Sequence, residues 1–351
     1  MLETTKDTRP IRHIYRWDLD KTYLDTDLRL HRIWKIPFEA PSAKRNVPGA
    51  VRLLKELMAG QDPSGRAKVT FISASPHQLR RSIEAKFRYD DIYPDQLYLK
   101  PNLQNLIQLR WKALREHVGY KLPLLLEARV GVPSSIRETC FGDDAESDAL
   151  IYSLYADLVA GRIGDFTLTR MLHAVGAYED AVVRARSARR KIVPADALQS
   201  IFIHMTVGND PDVFRPFGPR VIPVHSYFQA ALCLFGQEHL TAAAVVNVAH
   251  DMIANYGFTA ARLAEDFKDI LRRGFFTRES AKSLGEAVRS VAFPDPLPPR
   301  DETIEMLTKL AADIPPEVAP PPEPVLIDYP TVAETMYRRA RRETLRSRRL
   351  R

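Results

Sequence analysis

Two carboxylates stand two residues apart in Asp18-Leu19-Asp20-Lys21-Thr22, directly after the apolar run IRHIYRW. At a strand end such a pair points the same way. The two can share a cation, or divide the labour of nucleophile and general acid. The same pair also fits a solvated strand end or a helix cap. Ser73, with Ser75 behind it, closes the run KVTFIS. A hydroxyl followed by backbone N–H groups can hold a phosphoryl oxygen, or simply cap the helix beginning near Pro76. Gly142-Asp143-Asp144-Ala145-Glu146-Ser147-Asp148 gathers three Asp within six residues. That charge is unfavourable unless a hard cation offsets it, although an acid-rich helix N-terminus is also favoured by the helix dipole. Phosphoryl chemistry among several carboxylates needs a fixed positive charge. Lys121 is best placed for it; Lys100 and Lys112 are alternatives, and any of the three also reads as a surface lysine.

These clusters need a scaffold that brings strand ends together. IRHIYRW reads as a buried strand, VPGAVRLLKELMAG as a helix with Pro48 near its start and Gly60 near its stop, and KVTFISAS as a β-branched strand. PHQLRRSIEAKF reads as an amphipathic helix. ETCFGDDAESDALIYSLYADLVAG reads as a strand, an acidic turn and a helix. Strand-then-helix alternation predicts an α/β fold, a Rossmann-like parallel sheet with crossover helices. In such sheets chemistry sits at the carboxyl ends of the strands, where every polar cluster above lies. From about residue 161 the texture becomes Ala, Leu and Arg at helical spacing. The expected organisation is an α/β domain over 1–160, an all-helical region over 161–292, a Pro-rich linker over 293–330 and a basic tail over 331–351. The linker holds eleven of the 26 prolines and one helical patch, ETIEMLTKLAAD.

Acidic pair, strand-end Ser, Lys and acidic cluster, in that order, resemble the haloacid dehalogenase-like phosphatase superfamily. WDLDKTYLDTD, NVPGAVRLLKEL, FISASPHQL, QLYLK, YKL and CFGDDAESDALIY further resemble the catalytic domain of the actin-patch type of phosphatidate phosphatases, which are related at the active site to the lipins. The resemblance covers about residues 10–160. Lys21 stands where Gly or Asp is usual, and His77 where an aromatic is common. About fifty residues separate Thr22 from Ser73 and Ser73 from Lys121, too few for a large independent cap domain, so little or no cap is expected. The resemblance implies Mg²⁺-dependent phosphomonoester hydrolysis, with phosphatidate or a related lipid phosphate as substrate. It implies that Asp18 is the nucleophile and Asp20 the general acid and base. Mg²⁺ would be held by Asp18, the backbone carbonyl of Asp20 and Asp143, with Asp148 and Asp144 orienting its waters. Ser73 would bind a phosphoryl oxygen, Lys121 would offset charge, and Thr22 would brace the nucleophile loop. The alternatives are a phosphatase of a soluble metabolite, a non-catalytic phospholipid-binding module, and a protein-interaction function centred on the helical half.

Of the net charge of +7, the segment 331–351 carries +6, from eight Arg and two Glu. The basic balance therefore describes a tail that can meet an anionic membrane, a nucleic acid or nothing at all. VVRARSARRKI reads chiefly as a solvated helix face. His173, His204, His225, His239 and His250 have no metal-ligand spacing and read as ordinary helical histidines. Nothing resembles a nucleic-acid-binding fold. Two cysteines frame no disulfide scaffold, MLETTKDTRP carries no apolar signal, and no apolar run is long enough to span a bilayer. The expected location is cytoplasmic, with peripheral contact to membranes through the tail.

Overall fold

The computed structural model describes residues 7–26, 40–61, 63–100, 110–145, 147–206, 210–291, 298–314, 318–320, 323 and 325–335, with the side chains of 110–116 and 298–300 left aside. Its centre is a six-stranded, all-parallel sheet with flanking helices, in the order β3-β2-β1-β4-β5-β6. The strands are β1 (Ile11–Trp17), β2 (Arg66–Pro76), β3 (Gln96–Lys100), β4 (Arg137–Asp143), β5 (Leu198–His204) and β6 (Val221–Val224). Strand order reverses between β1 and β4. In an open parallel sheet that reversal opens a crevice at the carboxyl ends of the two strands, where Asp18 and Asp143 stand.

The chain divides into two compact units. The first comprises 16–47, 70–225 and 321–351. It contains helices α2 (Arg80–Tyr89), α3 (Arg110–Arg129), α4 (Asp148–Val159), α5 (Asp165–Ala174) and α6 (Glu179–Arg190). Every residue of α4 is buried, Asp148 and Asp157 included. A row of aromatic rings crosses the sheet beneath the strand ends. Trp17 stacks on Phe141 at 4.0 Å and Phe141 on Phe202 at 5.2 Å, with Phe71 6.4 Å from Trp17.

This unit corrects the expectation that residues 161–292 are all helical, because β5 and β6 lie within that span. LQSIFIH is a short apolar run with no clear period, which periodicity alone cannot separate from buried helix. VIPV contains Pro223, which is tolerated because β6 is an edge strand.

The second unit comprises 1–15, 48–69 and 226–320. It contains α1 (Ala50–Ala59), α7 (Tyr227–Gly236), α8 (Ala242–Tyr256), α9 (Ala260–Arg272), α10 (Arg278–Ser290) and α11 (Pro298–Ala312). Helix α1 buries Ala50, Leu53, Leu54 and Leu57, a stripe at helical spacing. Gly49, at φ +80°, starts it; a Cβ there would lie 2.9 Å from the Met252 sulfur. Ser226, Thr241, Thr259 and Thr277 each accept a hydrogen bond from the N–H three residues on, capping α7 to α10 in turn.

The expected helical patch in the Pro-rich segment forms within α11. The end of that segment packs on the sheet unit. Tyr329 is buried, and its hydroxyl donates to Asp157 Oδ2 at 2.6 Å and to the Ser153 carbonyl at 2.7 Å, both on α4. Residues 336–351, which carry all eight arginines of the basic tail, lie outside the described residues. No described helix is long and apolar enough to cross a membrane.

Candidate active site

The turn after β1 is built largely from backbone bonds. Asp18 N–H donates to the Phe141 carbonyl at 2.9 Å and so continues the ladder toward β4. Tyr23 and Leu24 N–H both donate to the Leu19 carbonyl, at 2.9 and 2.8 Å, and Lys21 N–H donates to the Leu24 carbonyl at 2.7 Å. Lys21 takes φ +59°, a left-handed conformation that side chains seldom adopt. Its carbonyl lies 3.0 Å from His204 Nδ1, at the end of β5. A carbonyl only accepts, so the proton sits on Nδ1. Burial pushes the His204 pKa down and keeps the ring neutral, partly opposed by this bond and by Asp144 and Asp25.

Asp18, Asp143 and Asp148 converge beside this turn. All three are buried, and each offers a carboxylate oxygen within 4.8 Å of the others. Lys121, fully buried on α3, donates to Asp18 Oδ1 at 2.8 Å and to Asp148 Oδ1 at 2.7 Å. Of the three lysines considered from sequence, the structure brings Lys121 to the carboxylates. Lys100 lies at the end of β3, in register with Pro76, and the Lys112 side chain is outside the described residues. Asp143 Oδ1 accepts from Ala145 N–H at 2.6 Å, and Asp148 Oδ2 accepts from Asp143 N–H at 3.4 Å. Gly142 makes this approach possible, because a Cβ there would sit 2.5 Å from both Cβ and Oδ2 of Asp148.

The donor set fits a hard divalent cation. Three buried carboxylates converge here, two of them bridged by one ammonium group. Charges held out of water in this way are costly unless a partner is present, and an all-oxygen set suits Mg²⁺, Mn²⁺ or Ca²⁺.

Asp20 stands in different company. Its Oδ1 accepts from Thr26 Oγ1 at 2.9 Å, and its Oδ2 accepts from Ser75 Oγ at 2.6 Å and Ser73 Oγ at 3.3 Å. Ser73 is fully buried and also accepts from Ser75 N–H at 2.9 Å. Thr22, in the turn after β1, is fully buried. Asp144 does not join the carboxylate cluster. Its Oδ1 accepts from both N–H and Oγ1 of Thr206 at 2.7 Å, tying the acidic turn to the loop after β5.

Sequence reasoning gave no site role to Thr26, His204 or Gly142. Thr26 falls outside the five-residue motif. His204 lies on an unrecognised strand, so it is not a helical histidine as expected. Gly142 was visible as the residue before two Asp, but its need depends on where Asp148 packs. No family model, no curated protein and no solved structure matches the chain.

Proposed function

We propose that the protein hydrolyses phosphomonoesters with the help of a divalent cation, Mg²⁺ by preference. The observation that carries this reading is the contrast between Asp18 and Asp20. Asp18 accepts from a buried lysine ammonium and shares an oxygen cluster with Asp143 and Asp148. An ammonium of this kind is a lasting partner for an anion. Asp20 accepts from the neutral hydroxyls of Thr26, Ser73 and Ser75, and hydroxyls donate or accept equally well. Two carboxylates with such different partners are suited to different tasks.

In this reading Asp18 attacks phosphorus and the ester P–O bond breaks, leaving an aspartyl-phosphate. Asp20 gives its proton to the departing oxygen, then takes one from the water that cleaves the intermediate and returns Asp18 to a carboxylate. Ser73 donates its hydroxyl to a phosphoryl oxygen. Lys121 offsets charge on Asp18 and fixes Asp148. A divalent cation would be held by Asp18, Asp143 and the Asp20 carbonyl, and would supply the charge that lets an anionic nucleophile meet an anionic phosphate. Asp148 spends its oxygens on Lys121 and the Asp143 N–H, and so positions the cluster.

The resemblance of residues 10–160 points to phosphatidate as substrate. A phosphate-release screen with Mg²⁺, or with a chelator in its place, over phosphatidate vesicles and soluble monoesters tests both parts. Metal-dependent release from phosphatidate alone supports the lipid reading, and release from soluble esters alone supports a metabolite phosphatase. No release from any ester defeats the proposal.

A further inference from the structure

Three hydroxyl groups converge on the Asp20 carboxylate, and they arrive from two elements. Thr26 is carried by the turn after β1 and donates to Oδ1, while Ser73 and Ser75 stand at the end of β2 and donate to Oδ2. The end of β2 departs from regular pairing: its register with β3 shifts between Ser73 and Pro76. Such irregularities re-aim side chains beside sites. Here the shift accompanies a closed arrangement in which Ser75 N–H donates to Ser73 Oγ while both hydroxyls reach the same Asp20 oxygen. On the other side, Thr26 N–H donates to the Leu24 carbonyl at 2.9 Å, so the turn that fixes Asp20 also fixes Thr26.

We propose that Thr26 and Ser75 are positioning residues for proton transfer, aiming the Asp20 carboxyl group at the leaving oxygen. This rests on the phosphatase reading above. A bound phosphate engages the Ser73 hydroxyl, and Asp20 then keeps one hydroxyl on each oxygen, Thr26 on Oδ1 and Ser75 on Oδ2. Rotation about the last bond of an Asp side chain is soft. Losing either hydroxyl frees that rotation, and misplacement of about 1 Å can cost on the order of 10²-fold in rate.

The test compares leaving groups. Glycerol phosphate departs as an alkoxide and needs the proton; p-nitrophenyl phosphate departs as a stabilised phenolate and needs it little. Thr26→Val and Ser75→Ala are expected to lower kcat for glycerol phosphate by about 10- to 100-fold, within the range general acid catalysis supplies. The p-nitrophenyl ester should lose severalfold at most, with KM little changed for both. Thr26→Ser and Ser75→Thr should restore the wild-type ratio of the two rates, and they carry the same test where a first variant fails to give a cooperative melt. Equal losses on both esters, no loss on either, or a ratio that the conservative variants do not restore would overturn the proposal. Absence of turnover by the wild-type protein on every ester would instead sink the phosphatase reading, and this assignment with it.

Discussion

The three carboxylates of the cluster are held differently, and the difference predicts unequal effects on metal binding. Asp143 spends one oxygen on Ala145 N–H, whereas Asp148 gives one oxygen to Lys121 and the other to Asp143 N–H. Asp143→Ala should therefore raise the Mg²⁺ concentration needed for half-maximal activity more than Asp148→Ala does. Losing a residue that only orients ligands typically costs about 10–100-fold, which sets the scale expected for Asp148. Magnesium titration of phosphate release measures both, and a larger rise for Asp148→Ala would make Asp148 the direct ligand. Gly142→Ala tests the packing behind this arrangement. With a Cβ 2.5 Å from Asp148 Cβ and Oδ2, either the Asp143 strand end or the start of α4 must shift. Turnover should fall at least about tenfold, in line with the rate cost of small misplacements, while the circular dichroism spectrum stays that of the wild type.

Beneath the site, β1, β4, α3 and α4 share a buried ionic network. Glu138, at the second position of β4, accepts from Arg16 at 2.7 and 2.9 Å, from Arg129 at 2.9 Å and from the Tyr155 hydroxyl at 2.7 Å. Burial alone would raise the Glu138 carboxyl, but Arg16, Arg129 and Tyr155 together outweigh it and bring the pKa down to about 2. A carboxyl depressed in the folded state stabilises the fold above its unfolded value near 4.5 and loses that contribution as pH falls toward about 2. Glu138→Gln strands two buried guanidinium groups and should cost roughly 3–5 kcal/mol. Urea melts at neutral pH and near pH 3 should show this loss shrinking with acidification, and a pH-independent loss would contradict the role given to Glu138. Much at this scale was legible in the sequence. β1, β2, β4 and the α4 turn announce themselves because apolar runs end abruptly in polar clusters. What stayed hidden was tertiary: LQSIFIH and VIPV become strands because a sheet edge receives them, and Thr26, His204 and Gly142 matter only through partners distant in sequence or placed by packing.

At the scale of the whole chain, Tyr329 anchors the end of the Pro-rich stretch. Its hydroxyl bonds to Ser153 and Asp157 hold that end against α4, so a truncation that tests the tail must leave this contact in place. Deletion of 336–351 should reduce binding to anionic vesicles at low salt, since each basic residue near such a surface is worth about 1 kcal/mol. The difference should shrink at high salt, and hydrolysis of a soluble monoester should be unchanged. Cosedimentation that does not differ between truncated and full-length protein would remove the membrane role from the tail. Tyr329→Phe, which keeps the ring and loses both bonds, should lower stability by about 1–3 kcal/mol, read as a shift in the urea midpoint.

The central claim is that phosphate passes through Asp18, with Asp20 needed to release it. Asp20→Asn cannot activate water, yet an ester with a good leaving group can still phosphorylate Asp18. Intact-mass and peptide mass spectrometry of Asp20→Asn incubated with Mg²⁺ and p-nitrophenyl phosphate tests this directly. The expected result is one phosphoryl group per chain, located on Asp18 and absent from an Asp18→Asn, Asp20→Asn double variant. A wild-type protein that turns the ester over, paired with an Asp20→Asn variant carrying no phosphoryl group or carrying it on another residue, would contradict the account.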